Sequence, residues 1–328
     1  MSPSVTIVVP TRNRAESLRE TLAAIGRTRV PSGWHVDLVV VDNGSTDHTA
    51  NVACEACLPI PLTYLREMRK GVAHARNTGL ENMGGDIALF IDDDLTPSEN
   101  WIEEMCRPIV QDQADAVAGG VRLAPHLLRP WMDLWHRAWL ASSECLDPLD
   151  PGRIVSANAA IRRTVLQSVP RFDPELGAGA LGMAEETLFS MQLRRAGFRI
   201  VSAEHALCIH NCDEDRLTRS AFLEAASKLG RSDAYIAYHW EHLDIKYPIA
   251  ALARARARLA FYRARHAFTA RGGAPVAVWE MQLVRDVHFA LGYLEQCERP
   301  RNYEKYGLLR LDEPGKAAFE ARQVVNAS

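Results

Sequence analysis

What most constrains this chain is a rhythm near its start. Five short strand-like runs, at 5–9, 36–41, 62–65, 87–91 and 116–121, alternate with stretches of helical period at 14–25, 46–56, 72–83 and 98–110. The runs are largely apolar throughout rather than at every second position. Both faces of each strand must then be covered, which is the condition of a parallel sheet held between helices. Along 14–25, Leu18, Leu22 and Ile25 share one face, and Thr11 or Asn13 stands where a helix cap is needed. The expected fold is therefore α/β, a Rossmann-like, mostly parallel sheet flanked by helices. From 122 the pattern is mixed, with a tryptophan-rich helix, a strand near 154–161, a glycine-rich loop at 177–182, a helix over 185–196 and strands at 198–201 and 206–210. Beyond 213 the composition shifts and the signal is helical, at 217–240, 248–271 and 276–297.

Composition removes several classes of function. With 38 Lys and Arg against 41 Asp and Glu, the net charge of −3 gives no overall attraction to nucleic acid. At 47% hydrophobic residues the chain is not disordered wholesale. No apolar run approaches the roughly 18 residues of a membrane span, and the first residues lack the basic and apolar regions of a signal peptide. The 7 cysteines are an odd number in a chain large enough to need no disulfides. A reducing, cytoplasmic setting is expected, with attachment at the inner membrane face as its variant.

Ligands of open α/β sheets sit beyond the carboxyl ends of the strands. Pro10, Thr11, Arg12, Asn13 and Arg14 follow the first strand; Asp42, Asn43 and Asp47 the second; Arg66, Glu67, Arg69 and Lys70 the third. The fourth ends in Asp92-Asp93-Asp94. Three adjacent aspartates repel one another in a dry site, and a bound divalent cation relieves that repulsion. A solvated acidic turn capping the helix near Ser98 is the plainer reading of the triplet alone. Phe90-Ile91 favours the cation, because a buried strand delivers the triplet to the sheet edge.

Several segments, in order along the chain, carry a resemblance. They are the strand running into Pro-Thr-x-Asn at 6–14, Val-Asp-Asn-Gly-Ser-Thr-Asp at 41–47, Gly-Val-Ala-His-Ala-Arg-Asn-Thr-Gly at 71–79 and Phe-Ile-Asp-Asp-Asp at 90–94. A second block follows at 157–163, 172–177, Glu185-Glu186-Thr187, 193–199 and His210. Together they resemble the family 2 glycosyltransferases of the GT-A fold over roughly 4–212. Sugar transfer follows from that resemblance, not from composition or spacing.

The resemblance implies a GT-A catalytic domain at 1–212, with a nucleotide-binding half of about 1–121 and an acceptor half of about 122–212, ahead of a helical region at 213–328. It implies a metal-dependent, inverting, hexosyltransferase-like enzyme. The donor would be a nucleoside diphosphate sugar, a UDP-sugar first, and the acceptor a hydroxyl or amine of a glycan or small molecule. Pro10, Thr11, Arg14 and Asp42 fall on the nucleoside pocket, with Asp42 suited to the imide N–H of uracil or thymine. Arg69 and Arg76 fall on base or diphosphate contacts, Arg76 equally as a buttress of its loop. Asp94 takes the place of a ligand to Mg²⁺ or Mn²⁺ on the diphosphate, Asp93 or Asp92 reaches the ribose and metal-bound water, and His210 takes that of a third metal ligand or diphosphate contact. The family usually presents Glu-Asp at a helix start, with the aspartate as general base. Here the pair is Glu185-Glu186, so Glu186 takes that place with a longer side chain, and Glu185 is the alternative. Two acids that merely compensate the helix dipole are the plainer reading.

Weaker signals remain. Trp131, Trp135 and Trp139 at i, i+4 and i+8 put three indoles on one helical face where the family builds its acceptor pocket. Trp131, Trp135 and Asn158 are the acceptor-side candidates, set against core packing, a dimer interface and a buried structural amide. The 177–182 loop is expected to close over the donor. Cys54 and Cys57 read as two helical cysteines. His205, Cys208, His210 and Cys212 cluster along one strand, with zinc a lesser reading than His210 serving the catalytic cation. From 245 to 279 there is no acid, while Lys246, Arg254, Arg256, Arg258, Arg263, Arg265 and Arg271 are basic. A solvated helix that pairs with acids of the catalytic domain is the plain reading. The others are a homodimer contact and a peripheral contact with an anionic membrane, in which Leu252, Leu259 and Tyr262 form the apolar side. Two rival functions stand beside transfer: a sugar-nucleotide-binding protein without turnover, kept open by the glutamate at 186, and a nucleotidyltransferase. The latter usually opens with a glycine-rich phosphate loop, and 10–14 contains no glycine. A dehydrogenase is disfavoured because no G-x-G-x-x-G follows the first strand.

Overall fold

The computed structural model describes residues 2–169, 171–267 and 274–312. Among these, eight strands form one sheet: β1 (Ser4–Thr11), β2 (His35–Asp42), β3 (Leu62–Arg66), β4 (Ile87–Ile91), β5 (Leu95–Pro97), β6 (Ala116–Leu123), β7 (Asn158–Arg162) and β8 (Ile200–His210), in the order β3-β2-β1-β4-β7-β6-β8-β5. Pairing is parallel from β3 through β2 and β1 to β4, and between β6 and β8. It is antiparallel where β7 enters between β4 and β6 and where β5 meets β8. The helices are α1 (Ala15–Ile25), α2 (Thr49–Glu55), α3 (Val72–Asn82), α4 (Trp101–Val110), α5 (Leu134–Ala138), α6 (Glu185–Arg195), α7 (Arg219–His239), α8 (Pro248–Arg265) and α9 (Val278–Gln296).

Strand alternation sorts the apolar residues into two layers. Val5, Ile7 and Val9 of β1 pack with Leu18, Leu22 and Ile25 of α1 and with Trp101 and Met105 of α4. Val8 turns to the opposite face, with Val39 and Val41 of β2 and Phe90 of β4, against α3 and α6. There Phe172 stacks on Phe189 at 4.5 Å between centroids. Burying each of these phenylalanines contributes about 1.5–3 kcal/mol. Helix α3 lies close upon β1, since a Cβ at Gly79 would stand 2.4 Å from Val8 Cγ1.

From β1 the chain steps sideways to β2 and β3, then crosses back to set β4 on the other flank of β1. The loops leaving β1 and β4 therefore diverge and open a crevice at this switch point. Other elements differ from expectation in detail. The strand expected at 154–161 begins at Asn158, and those expected at 198–201 and 206–210 are one strand, β8, whose pairing with β6 shifts between Gly119 and Gly120. Strand β5 was not expected, because three residues carry no periodic signal. The tryptophan-rich helix shrinks to the five residues of α5. Helix α8 is described to Arg265, and the remainder of the stretch expected to reach 271, Arg271 included, lies partly outside the described residues.

Besides the apolar clusters that α7 and α9 share with Leu123, Leu127, Leu176 and Leu188, one buried carboxylate ties the chain after 213 to what precedes it. Asp173 has a side chain with 0% exposure. Its Oδ2 accepts from Tyr235 Oη of α7 and from Tyr303 Oη, each at 2.7 Å, and its Oδ1 accepts from Arg310 Nη1 at 2.8 Å. Burial and the Asp173 charge hold both phenols above their ordinary range. Asp173→Ala would leave one guanidinium and two hydroxyls without that acceptor in a dry site. The expected loss is about 3–5 kcal/mol, read as a lower Tm with faster proteolysis beyond residue 298; an unchanged Tm would show that the tether is dispensable.

Candidate active site

The crevice is built by three loops that the sequence ties together. After β1 the chain turns through Asn13 in the left-handed region, φ 51°. Asn13 N donates to Ser45 Oγ and Asn13 Oδ1 accepts from Thr46 N, stitching the loop after β1 to that after β2. Between β4 and β5 stand Asp92, Asp93 and Asp94. Register places Leu95 opposite His210, and Asn211 N donates to the Asp94 carbonyl at 2.9 Å, so β8 delivers His210 beside the triplet. The side chains then converge. Thr11 Oγ1 donates to Asp93 Oδ2 at 2.7 Å, and Arg14 Nη1 donates to Asp93 Oδ1 at 3.0 Å and Asp94 Oδ2 at 2.9 Å. His210 Nε2 lies 3.1 Å from that same Asp94 oxygen.

Arg14 thus supplies positive charge to two of the three neighbouring carboxylates, Asp93 and Asp94. Burial is the largest influence on Asp93 and, against the pull of Arg14, pushes it up to about 7. Asp94 is equally enclosed, but the contacts with His210 and Arg14 outweigh burial and hold it below the ordinary carboxylate range.

Arg76, reaching in from α3 and 2% exposed, links this cluster to the start of α6. Its Nη2 donates to Asp92 Oδ1 at 2.9 Å and its Nη1 pairs with Glu185 Oε1, while its buried Nε has no partner among the described residues. Glu185 is thereby committed to an ion pair. Glu186 is freer: its side chain keeps 18% exposure and stands 3.9 Å from Arg153 Nη1. Burial, then the charge of Glu185, raises its carboxyl above the usual range. Ala184, immediately before, adopts φ 72°, a left-handed turn that aims the first turn of the helix.

The glycine-rich loop closes against protein. Val72 N donates to Ala178 O at 2.9 Å, and Gly182 N to Gly177 O at 2.8 Å. A Cβ on Gly177, φ +83°, would come within 2.8 Å of Glu185 Oε2. The loop expected to close over the donor is docked on α3 here and bonded to itself.

On the nucleoside side, Pro10 is buried within β1, opposite Val41. Asp42 is 1% exposed; its Oδ1 accepts from Ser45 N and its Oδ2 from Tyr64 Oη, each at 2.7 Å. Each oxygen keeps a lone pair for a further N–H. Tyr64, pushed up to about 12 by burial and Asp42, escaped the sequence reading because it looks like an ordinary strand aromatic. Arg69 Nε and Nη2 grip Glu67 at 3.0 and 2.7 Å, holding that carboxyl at about 2, and the arginine is 58% exposed at the rim.

The acceptor-side candidates are not brought together. Asn158 is wholly buried and saturated: its Oδ1 accepts from Trp101 Nε1 at 2.8 Å, and its Nδ2 donates to Gly120 O and Ala206 O. It is the structural amide. Trp131 precedes α5 and packs edge-on against His136 and Phe222, while Trp135 is 57% exposed. A five-residue helix cannot carry three indoles across three turns, so the expected common face does not form. Trp139, the third of the set, does line a cavity of about 340 Å³ with Leu140, Met183, Arg216 and Lys228. Leu140 O also receives His210 Nδ1 at 2.8 Å, which sets this cavity beside the triplet. Trp139, and Gly182 of the glycine-rich loop, which lines the same cavity, had a signal in the sequence; Lys228 and Arg216 look like solvated charges.

The donor set suits a hard cation. His210 Nδ1 lies 2.8 Å from the Leu140 carbonyl, which orients the ring so that Nε2 faces Asp94 at 3.1 Å. Among the described residues no group of three or more His, Cys, Asp or Glu is arranged to hold a metal by itself. That excludes a zinc cluster of His205, Cys208, His210 and Cys212, and all seven cysteines are free thiols. It is compatible with Mg²⁺ or Mn²⁺, which ordinarily take one or two protein ligands and complete their shell with phosphates and water.

Comparison with known proteins bears on this arrangement. A family model described as glycosyl transferase family 2 matches residues 6–169. The glycosyltransferase AglE of Haloferax volcanii is 31% identical over 121 residues, 36% of this chain and 40% of that protein. The pre-mycofactocin glycosyltransferase of Mycobacterium tuberculosis is 28% identical over 235 residues, 66% of this chain and 45% of that protein. The match spans less than half the length of either relative. A mannosyltransferase of Pyrobaculum calidifontis, solved in complex with GDP-mannose and Mn²⁺, superposes with a TM-score of 0.59 at 21% identity, over 90% of this chain and 88% of that one. At that identity the likeness carries the fold, which is the GT-A arrangement.

The side-chain placements make a paired prediction. Asn158→Ala strips a bonded, buried site and Trp131→Ala opens a packed aromatic one, each at an expected cost of about 2–4 kcal/mol, whereas Trp135→Ala should stay within about 0.5 kcal/mol. Denaturant unfolding checks all three; equal losses at 131 and 135 would contradict the placement.

Proposed function

The chain belongs to glycosyl transferase family 2, and we propose that it moves a sugar from a nucleoside diphosphate sugar to a hydroxyl or amine of a glycan or small-molecule acceptor, with inversion and with Mg²⁺ or Mn²⁺. The observation that supports this reading is the line Asp92–Arg76–Glu185, in which one buried guanidinium ties the acidic triplet to the head of α6. In this reading 1–212 is the catalytic unit, and α7 of the following region walls the acceptor cavity.

Asp94 and His210 would hold the cation, whose chemistry is to neutralise the departing diphosphate. Thr11 and Asp42 face the nucleoside, with Arg14 and Arg69 as cations at its diphosphate end. The P. calidifontis mannosyltransferase was solved with GDP-mannose and Mn²⁺; the carboxylate of Asp42 favours a base with an imide or amide N–H, and a uridine donor is the first choice. Glu185 is pinned by Arg76, which leaves Glu186 to accept the acceptor's proton. As the acceptor oxygen forms its bond to the anomeric carbon, the bond to the diphosphate oxygen breaks on the opposite face and the proton ends on Glu186. A carboxyl raised from its usual range is better matched to a hydroxyl near neutral pH.

Release of nucleoside diphosphate by the full chain tests the reading. Glu186→Gln is expected to lower kcat about 100- to 1,000-fold while the thermal shift given by a UDP-sugar with Mn²⁺ persists. The base acts deprotonated, so parent kcat should rise with pH as Glu186 ionises, and that limb should vanish in the variant. A variant as fast as its parent removes Glu186 from the mechanism. A parent that binds nucleotide sugars yet never releases diphosphate is a binding protein. Asp94→Asn and His210→Ala should each weaken the Mn²⁺-dependent part of the thermal shift, and a shift unchanged in both would remove them as ligands.

A further inference from the structure

Helix α8 presents an unusual outer face. Its inner side is settled: Leu252 packs with Val287 and Ala290 of α9, and Leu259 joins the same contact. That removes Leu252, Leu259 and Tyr262 from the apolar, membrane-facing role the sequence suggested, since Tyr262 also lies against Trp279. At about 100° per residue, Phe261 stands opposite Leu252 and Ile249 about 60° round from Leu252, so the two, 61% and 74% exposed, flank one exposed face otherwise built of alanines; Tyr247 before the helix is 64% exposed. Arg256 borders this face on one side, and Arg254 and Arg265 on the other. Arg258 and Arg263 reach acids of α9, Asp286 at 3.6 Å and Glu280 at 2.8 Å. Arg254, Arg256 and Arg265 have no carboxylate partner among the described residues, and no acid occurs from 245 to 279.

We infer that α8 seats the protein on an anionic lipid bilayer, lying in the interface plane with Ile249 and Phe261 at the acyl boundary and the bordering guanidiniums on lipid phosphates. Charge selects this occupant. A second copy of the helix would face its own arginines across the contact, and a nucleic acid would use the cations but leave two large apolar side chains in water. Long arginine stems suit the border, because they cover apolar surface while the head stays at the phosphate level. Among the described residues no helix is long and apolar enough to cross a membrane, so this is a surface contact. It does not rest on the transfer reading, since binding to lipid is scored without turnover.

Cosedimentation of the full chain with phosphatidylcholine vesicles, with and without phosphatidylglycerol, tests it. Binding is expected only with the anionic lipid and should fall as salt rises. Since each basic side chain near such a surface is worth roughly fivefold, reversing Arg254, Arg256 and Arg265 to Glu should weaken binding by more than about tenfold, and Ile249→Ser with Phe261→Ser should weaken it at unchanged charge. Should either variant misfold, the salt and lipid dependence of the parent decides. Equal binding to neutral vesicles, no binding to anionic ones, or a parent dimer that the Ile249 and Phe261 changes split would each overturn the inference.

Discussion

One guanidinium holds the site in register. Arg76 comes from the first helical turns of α3, passes beneath the docked 177–182 loop and ends between two carboxylates that lie 93 positions apart, Asp92 and Glu185. Such a charge is stable in the interior only while both partners are present, because an unpaired buried arginine is far costlier than the pair is favourable. The loop after β4 and the head of α6 therefore cannot drift independently. Their spacing is set by the length of one planar side chain.

The nucleotide-binding half was readable because its signals are local and repeated. Each strand from β1 to β4 is a run of β-branched and apolar residues, each following helix has a periodic apolar face, and β1, β2 and β4 end in the polar residues that face the crevice. The elements that resisted did so because their order is non-local. Strand β5 is held by β8, more than 100 residues away, and Asn158 is defined by Trp101 Nε1, Gly120 O and Ala206 O, none near it in sequence. A motif match marks such a position as special without saying whether it touches a ligand or a carbonyl.

The same distinction runs through the site itself. The triplet, His210, Arg14, Thr11 and the glutamate pair were nameable, and all lie around one crevice. That Arg14 would stand against Asp93 and Asp94, or that Arg76 would pin Glu185 and leave Glu186 free, depends on side-chain reach across loops and has no trace in spacing. The three tryptophans misled for an instructive reason. Their interval is helical, but Asp133, which caps α5 by accepting from His136 N, starts the helix after Trp131.

The Asp173 knot places a limit on modularity. The recognisable motifs end near His210, yet three of the groups that satisfy this carboxylate, from Tyr235, Tyr303 and Arg310, arrive later in the chain. A graft of the motif-bearing portion onto another scaffold would import a buried anion stripped of its countercharge. Moving this chain's motifs to another scaffold therefore requires carrying the distal segment along with them, or replacing the aspartate in the same step.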